Sequence, residues 1–385
     1  MSSSPLFQPF SVGGLELKNR VVMTALSRSR SIPDAVPTAL NAEYYAQRAK
    51  GGAGFIISEG AFTSPQGSPW PFYPGIWNDA QVEGWKKVVD AVHKEGVPIF
   101  AQIMHLGRAA HKDHPTFGTV PVVAPSAIRN RGGVPFRHIP GSEGCTTPTA
   151  IDDPLTVLEE FKTALNNAKK AGFDGVEINV GQGWLLHQFL DSTANTRTDA
   201  YGSSIPARAR FPLEVINAGL TVFGKGRVGV KISPGAGQND TGMPLDETIA
   251  TFKYLLEQID GLGLAYICLV SYDPFLDIKI DGEWRGTKHD IYETYRPFIS
   301  STPVMLNGGL KPDDAITHLQ ASTNKIDLAA FGIQWILNPD FVNRLEKGTP
   351  LNGFDKLRYD KLYFSKYEGT EEEAREGYTD YPIAT

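Results

Sequence analysis

Cysteine is almost absent from this chain: Cys145 and Cys268 are the only two in 385 residues. That excludes a disulfide framework and suits a reducing compartment, and no Cys/His spacing of the metal-binding kind occurs. Positive charge is not in excess either. Lys and Arg number 37 against 43 for Asp and Glu, a formal charge of −6, so neither nucleic acid nor an anionic membrane surface is an expected partner. No uninterrupted apolar run is long enough to span a bilayer. The opening Met-Ser-Ser-Ser-Pro-Leu-Phe has no basic start and no apolar core, so no signal peptide is read there. Asn239-Asp240-Thr241 has the form of a glycosylation sequon, but without a secretory signal it carries no weight. What remains is an ordinary soluble composition, 41% hydrophobic and 21% charged, expected in the cytoplasm and sufficient for a core.

Eight apolar runs punctuate the chain: Val21–Leu26, Gly54–Ser58, Val97–Ile103, Gly175–Ile178, Val228–Ser233, Ala265–Val270, Pro303–Leu306 and Asp327–Phe331. Helical spacing fills most of the intervals, over Asp79–Lys94, Pro154–Lys170, Ile205–Val222, Leu245–Ile259 and Pro312–Gln320, with one more helix starting at Pro339. Asn78-Asp79, Asp152-Asp153-Pro154 and Asn338-Pro339-Asp340 are placed to cap helix starts. Strands alternating with helices predict a parallel sheet, and eight such units predict an α/β fold of the (β/α)8 TIM-barrel type spanning residues 1–385 as a single domain. Phe7 to Leu17, broken by Gly13-Gly14, reads as an N-terminal hairpin lid. Long connections after the third and sixth strands, residues 106–150 and 271–300, read as binding loops. They carry Arg108, His111, His114 and Arg129, then Tyr272, Phe275, Trp284 and Arg285.

Residues 173–191 hold the densest chemistry. A buried strand ending near Ile178 breaks into Asn179-Val180-Gly181-Gln182-Gly183-Trp184, then a second apolar cluster follows. Polar and aromatic groups just after a parallel strand sit where α/β proteins build sites. This stretch, with its Glu-Ile-Asn and Trp-Leu-Leu-His-Gln-Phe-Leu frame, resembles a signature of the old yellow enzyme family of flavin oxidoreductases. Other matches follow in order along nearly the whole chain: Lys18-Asn19-Arg20-Val21-Val22-Met23, Pro74-Gly75-Ile76-Trp77, Gln102-Ile103-Met104-His105-Leu106-Gly107-Arg108, Asn307-Gly308-Gly309 and Gly377-Tyr378-Thr379-Asp380-Tyr381-Pro382.

The resemblance implies a barrel holding FMN at the C-terminal mouth of its strands, and reduction of activated C=C bonds at the expense of NADPH. It also implies cofactor contacts. Ser27 stands where a Thr meets the flavin carbonyl, Gly60 where backbone meets the ring, and Gln102 at the pyrimidine edge. Lys231 replaces an Arg near N1 and the C2 carbonyl, keeping the charge but not the planar fork. Gly308, Gly309 and Gly332 offer backbone donors to the phosphate, whereas Ile333 stands where the family supplies an Arg. Losing that contact removes about 1.5–3 kcal/mol of binding.

Three further positions depart from the family pattern. Asn179 and Gln182 replace the pair, usually His with Asn or His, that holds the substrate carbonyl. Trp184 replaces the proton-donating Tyr, and an indole N–H is no general acid at neutral pH. The candidate catalytic set is therefore Asn179, Gln182, Trp184, Lys231 and His105. Each has a bland alternative: pocket-filling amides, a pocket wall, a flavin-facing or ion-paired lysine, and a pocket-edge histidine. His187 reads as a core residue, and Glu59 and Glu177 as acid/base groups or barrel-bottom ion pairs. Three functions stay open. The departures favour redox-neutral isomerisation, epimerisation or ring formation on a conjugated carbonyl. The retained contacts favour an NADPH-dependent ene-reductase. A non-catalytic ligand-binding protein is the third. Met104, Trp184, Phe275 and Trp284 suggest a largely apolar small molecule as ligand.

Overall fold

Eight parallel strands close into a barrel in chain order, the last pairing with the first. They are β1 (Val21–Met23), β2 (Phe55–Phe62), β3 (Ile99–Met104), β4 (Gly175–Asn179), β5 (Val228–Ile232), β6 (Tyr266–Val270), β7 (Val304–Asn307) and β8 (Leu328–Phe331). The structure, a computed structural model, describes residues 4–31, 34–68, 70–114, 116–133, 136, 139, 141–363 and 370–384. The first three residues, part of the start read above for targeting signals, lie outside them. No helix among the described residues is long and apolar enough to cross a membrane.

Helices α1 (Ala39–Lys50), α2 (Asp79–His93), α3 (Pro154–Lys170), α4 (Ile205–Phe223), α5 (Leu245–Ile259), α6 (Ile291–Tyr295), α7 (Pro312–Gln320) and α8 (Phe341–Lys347) follow strands β1 to β8 in turn. Local chemistry explains the starts. Asn78 accepts from the Gln81 N–H in a capping box at α2, and Asp153 accepts from Leu155 N–H at α3, with Pro154 in the first turn. The expected cap at Asn338-Pro339-Asp340 is not made: α8 begins at Phe341 without a side-chain cap. The Asp340 carboxylate is taken instead by Arg344 at 2.7 Å and by the Ala384 N–H. Helix α1 lacks the aliphatic periodicity of the others, because its buried face adds Asn41, Tyr44, Tyr45 and Arg48 to Leu40 and Ala49.

Strand residues alternate with period two between two buried environments. Val21, Met23, Ile56, Ile103, Val176, Ile178, Val230, Ile232, Ile267 and Leu269 point outward into the layer of helices. Val22, Phe55, Ile57, Phe100, Tyr266, Cys268, Met305 and Leu328 pack inside, together with Val12 and Leu17. Those last two come from an antiparallel hairpin, Phe10–Val12 with Leu15–Leu17, which closes the lower end of the barrel. Gly13 lies so near Gly226 that a Cβ would fall 1.9 Å from its carbonyl oxygen, at φ +54°, so this turn tolerates only glycine. The long connections carry short hairpins of their own, Asp113–His114 with Gly118–Thr119 and Lys279–Ile280 with Glu283–Trp284.

Candidate active site

Above its apolar floor the barrel interior turns polar. Gln102 on β3, Glu177 and Asn179 on β4, Lys231 on β5 and Thr24 just past β1 all lie within it, each at most 4% exposed. The same alternation that sends Ile178 and Val230 outward turns Glu177, Asn179 and Lys231 inward. Gln102 donates from Nε2 to Glu177 at 2.6 Å, and Tyr266 donates its hydroxyl to the other carboxylate oxygen at 3.0 Å. Glu177 is therefore no ion pair at the barrel bottom. It is a buried carboxylate held by two neutral donors.

Asn179 donates to Gln102 Oε1 and to Gln182 Oε1, both at 3.3 Å. Its own oxygen accepts from the Gly181 N–H at 3.0 Å, fixing the loop in an Asx-type turn. Gln182 has φ +57°, a left-handed conformation costly for a non-glycine residue. Its N–H is pinned by Ser233 Oγ at 2.5 Å, and its carbonyl by Asn239 Nδ2 at 2.8 Å. The two amides are thus adjacent, and the bonds between them are long enough for a ligand carbonyl to displace. Gln182 also borders a small groove lined with Ser233, Tyr272, Leu276 and Asp277.

Trp184 forms a wall. Its ring lies 6.0 Å from Trp70, edge to face, in a cluster with Phe62, Tyr73 and Met104. Phe275 and Trp284 are not part of it: they stand 80% and 50% exposed on the sixth loop. Met104 packs so closely on Gly60 that a Cβ there would fall 2.0 Å from its sulfur.

His105 is turned away from the mouth. Its ring stacks on Phe161 of α3, Nδ1 accepts from the Gly107 N–H at 2.9 Å, and Nε2 lies 3.9 Å from Glu160. Burial drives its pKa down to about 3, so the ring is neutral at ordinary pH. The structure does not bring it to Asn179 and Gln182. His187 is likewise a core histidine, accepting from Gly183 N–H and packed against Phe252. Glu59 lies outside the barrel, accepting the backbone N–H groups of Arg28 and Ser29. Burial raises its pKa and those two bonds oppose the rise. It makes no ion pair with a described residue.

Lys231 donates to Thr24 Oγ1 at 3.1 Å and makes no ion pair with any described carboxylate. A buried ammonium has three donors and needs acceptors. Among the described residues no acceptor meets its other two N–H bonds, which a ligand could take. Ser27, shortly after Thr24 in the chain, is half-buried, and Gly309 faces open space where a Cβ would lie. Gly332 meets only Leu26 and Thr24, at ordinary contact distance. Gly308 and Gly309 take φ +96° and +62°, turning the backbone sharply after β7. Ile333, like Leu26 and Leu362, packs against the apolar cluster of Ile336, Leu337, Leu357 and Tyr381. These residues fit FMN: Lys231, Gln102 and Gly60 would hold its ring end, and backbone donors at Gly308, Gly309 and Gly332 would hold its phosphate.

Sequence reasoning passed over Thr24 and Asp240. Asp240, in the dismissed sequon, accepts from Arg131 and Arg285, both at 2.8 Å, and its carbonyl accepts from Arg108. It ties the third and sixth loops to the fifth. Arg108 and Arg285 are thereby braces, as is Arg129, which donates to the Cys145 and Glu143 carbonyls. His111 packs against Phe136, and His114 accepts from the N–H groups of Thr116 and Phe117.

Comparison with known proteins agrees with this geometry. Residues 5–352 match the model of the NADH:flavin oxidoreductase / NADH oxidase family. The flavin oxidoreductase hxnT of Emericella nidulans is 36% identical over 401 aligned positions, covering 99% of this chain and 98% of its own. The solved structure of morphinone reductase superposes with a TM-score of 0.84 at 36% identity, over 100% of this chain and 97% of that one. The old yellow enzyme homologue from Zymomonas mobilis gives 0.85 at 32% identity, over 98% and 99%. The chain belongs to the NADH:flavin oxidoreductase / NADH oxidase family, the FMN-dependent old yellow enzymes.

Proposed function

We propose that this chain holds FMN at the mouth of the barrel and acts there on a conjugated carbonyl compound by a redox-neutral course: double-bond isomerisation, epimerisation beside the carbonyl, or ring closure. One observation carries the reading. The amides of Asn179 and Gln182 stand together, 3.3 Å apart, and past Gly183 the next side chain along the loop is an indole, Trp184, with no acidic proton to give. Two amide N–H groups can hold a carbonyl oxygen and stabilise negative charge that develops on it. A net reduction needs a further proton delivered to carbon, whereas an isomerisation or epimerisation gives back to carbon a proton first taken from it, an exchange that solvent water can carry. Two phenols near the site are poorly suited to deliver the proton of a reduction. Tyr272, on the groove, is pushed up to about 12 by burial and by its bond to Asp277, and Tyr266 is committed to Glu177. The wall of Trp184, Trp70 and Phe62 supports a substrate with a substantial apolar part.

Bound FMN supplies hydride chemistry, and a second reading as an NAD(P)H-dependent ene-reductase has its own support. Gly60, Gln102 and the cation at Lys231 remain at the ring end, and the similar protein of known structure is named a reductase. The experiment separating the two takes the FMN-loaded protein and a panel of apolar enones, and follows NADPH absorbance and product mass together. Products isomeric with the substrate, formed without NADPH loss, support the first reading. Products two hydrogens heavier, matched mole for mole by NADPH oxidation, support the second.

A further inference from the structure

Strands β5 and β1 lie four steps apart in either direction around the eight-stranded barrel, so they face one another across its axis. Lys231 is on the first and Thr24 extends the second, and their side chains meet at 3.1 Å. The Lys231 side chain therefore bridges the barrel interior. Neither strand neighbour holds it. Asn179, in register with it on β4, is bonded to Gln102 and Gln182, and Cys268, in register on β6, is a buried thiol. Glu177, the interior carboxylate, is committed to Gln102 and Tyr266. The Thr24 hydroxyl oxygen is thus the one acceptor that fixes the ammonium among the described residues.

A lysine needs such an anchor where an arginine would not. A guanidinium is a rigid planar fork, whereas an ammonium is a point charge on four rotatable bonds, with no preferred direction of approach. We propose that Thr24 is a positioning residue: its hydroxyl holds the Lys231 ammonium over the barrel axis and aims the two remaining N–H bonds at an electron-rich ligand edge above it. This rests on the reading that the ligand there is FMN. Thr24 itself need not touch the ligand. Its Cγ2 lies close to Gly332, 3.7 Å from where a Cβ would be, so the same side chain braces the backbone on the phosphate side.

The test titrates FMN into full-length protein by quenching of flavin fluorescence, and reads the midpoint potential of the bound flavin. The set is wild type, Thr24→Val, Thr24→Ser, Lys231→Met and the double variant Thr24→Val/Lys231→Met. The expected result is that Thr24→Val weakens FMN about tenfold and lowers the potential, because the reduced ring carries more negative charge. Thr24→Ser restores both, and the double variant is no worse than Lys231→Met alone, as two members of one interaction require. Thr24→Ala replaces Thr24→Val if the valine variant fails to fold. Unchanged affinity and potential in Thr24→Val, or losses that simply add in the double variant, overturn the proposal while leaving FMN binding intact. A wild-type protein that refuses FMN overturns the functional reading, and this inference with it.

Discussion

Asp240 and Arg285 meet at 2.8 Å across two loops at the barrel mouth, the aspartate 2% and the arginine 20% exposed. Arg131, from the third loop, reaches the same carboxylate at 2.8 Å. Asp240 does this from a left-handed backbone, φ +59°, as does Asn239 before it. Such strain persists where surrounding contacts impose it. One carboxylate thereby sets the spacing of the loops that border Gln182.

Asp240→Asn keeps the shape and tolerates the left-handed backbone, so it isolates the charge. Its expected cost is about 1.5–3 kcal/mol in urea denaturation, with weaker binding of any ligand that touches both loops. Burial alone would raise the Asp240 pKa, but the Arg131 hydrogen bonds and the neighbouring arginines hold it below the usual 3.8. A depressed carboxylate stabilises the fold above its unfolded pKa and loses that contribution as pH falls through the folded value. The difference between wild type and Asp240→Asn should therefore be full at neutral pH and shrink only below about 3.8.

Acid should destabilise the protein well before that point. Burial lowers His105 to about 3, and His114 and His187 to about 4, from 6.5. The unfolded chain takes up these protons first, so stability present above pH 6.5 falls as pH drops from 6.5 toward 4. Each histidine contributes up to about 1.4 kcal/mol per pH unit in that window. Melting temperatures across the window should fall accordingly, and His105→Phe should remove one such contribution. Turnover at pH 7.5 should survive that substitution, since His105 faces α3.

Ile333→Arg should tighten FMN binding. A charge-assisted contact to phosphate adds about 1.5–3 kcal/mol, or one to two orders of magnitude in Kd. The guanidinium must give up the packing of Ile333 against the cluster of Ile336, Leu337, Leu357 and Tyr381, so a small fall in melting temperature of the flavin-free protein should accompany it. Fluorescence titration and a thermal scan check both.

Trp184→Tyr should return a proton donor to the loop between Asn179 and the short helix Leu185–Leu190. Positioned acid catalysis is worth roughly 100- to 10,000-fold. The expected outcome is a shift toward NADPH-coupled reduction, read as moles of NADPH oxidised per mole of substrate converted. Some packing against Trp70 is given up, so the melting temperature should fall modestly.

The barrel was legible because β/α alternation depends on local patterns, and five of its helices lie within a residue or so of their periodicity and caps. Helix α1 was not, since Asn41, Tyr44, Tyr45 and Arg48 outnumber Leu40 and Ala49 on its buried face. Position in the site was half legible. Period two from Gln102 already sends Ile103 outward, Met104 inward and His105 outward, a signal that would have removed His105 from the catalytic set. Thr24 was out of reach: its partner is 207 residues away on the opposite strand, a relation set by barrel closure and not by any spacing. Asp240 was hidden for the same reason, its arginines coming from two separate loops.

The most direct measurement incubates the FMN-loaded protein in D2O, without NADPH, with an apolar enone and its β,γ-unsaturated isomer, and follows both by proton NMR. The account predicts migration of the double bond with deuterium entering beside the carbonyl, and loss of this activity in the double variant Asn179→Ala/Gln182→Ala while FMN stays bound. No exchange without NADPH, followed by stoichiometric formation of the saturated ketone once NADPH is added, would contradict it.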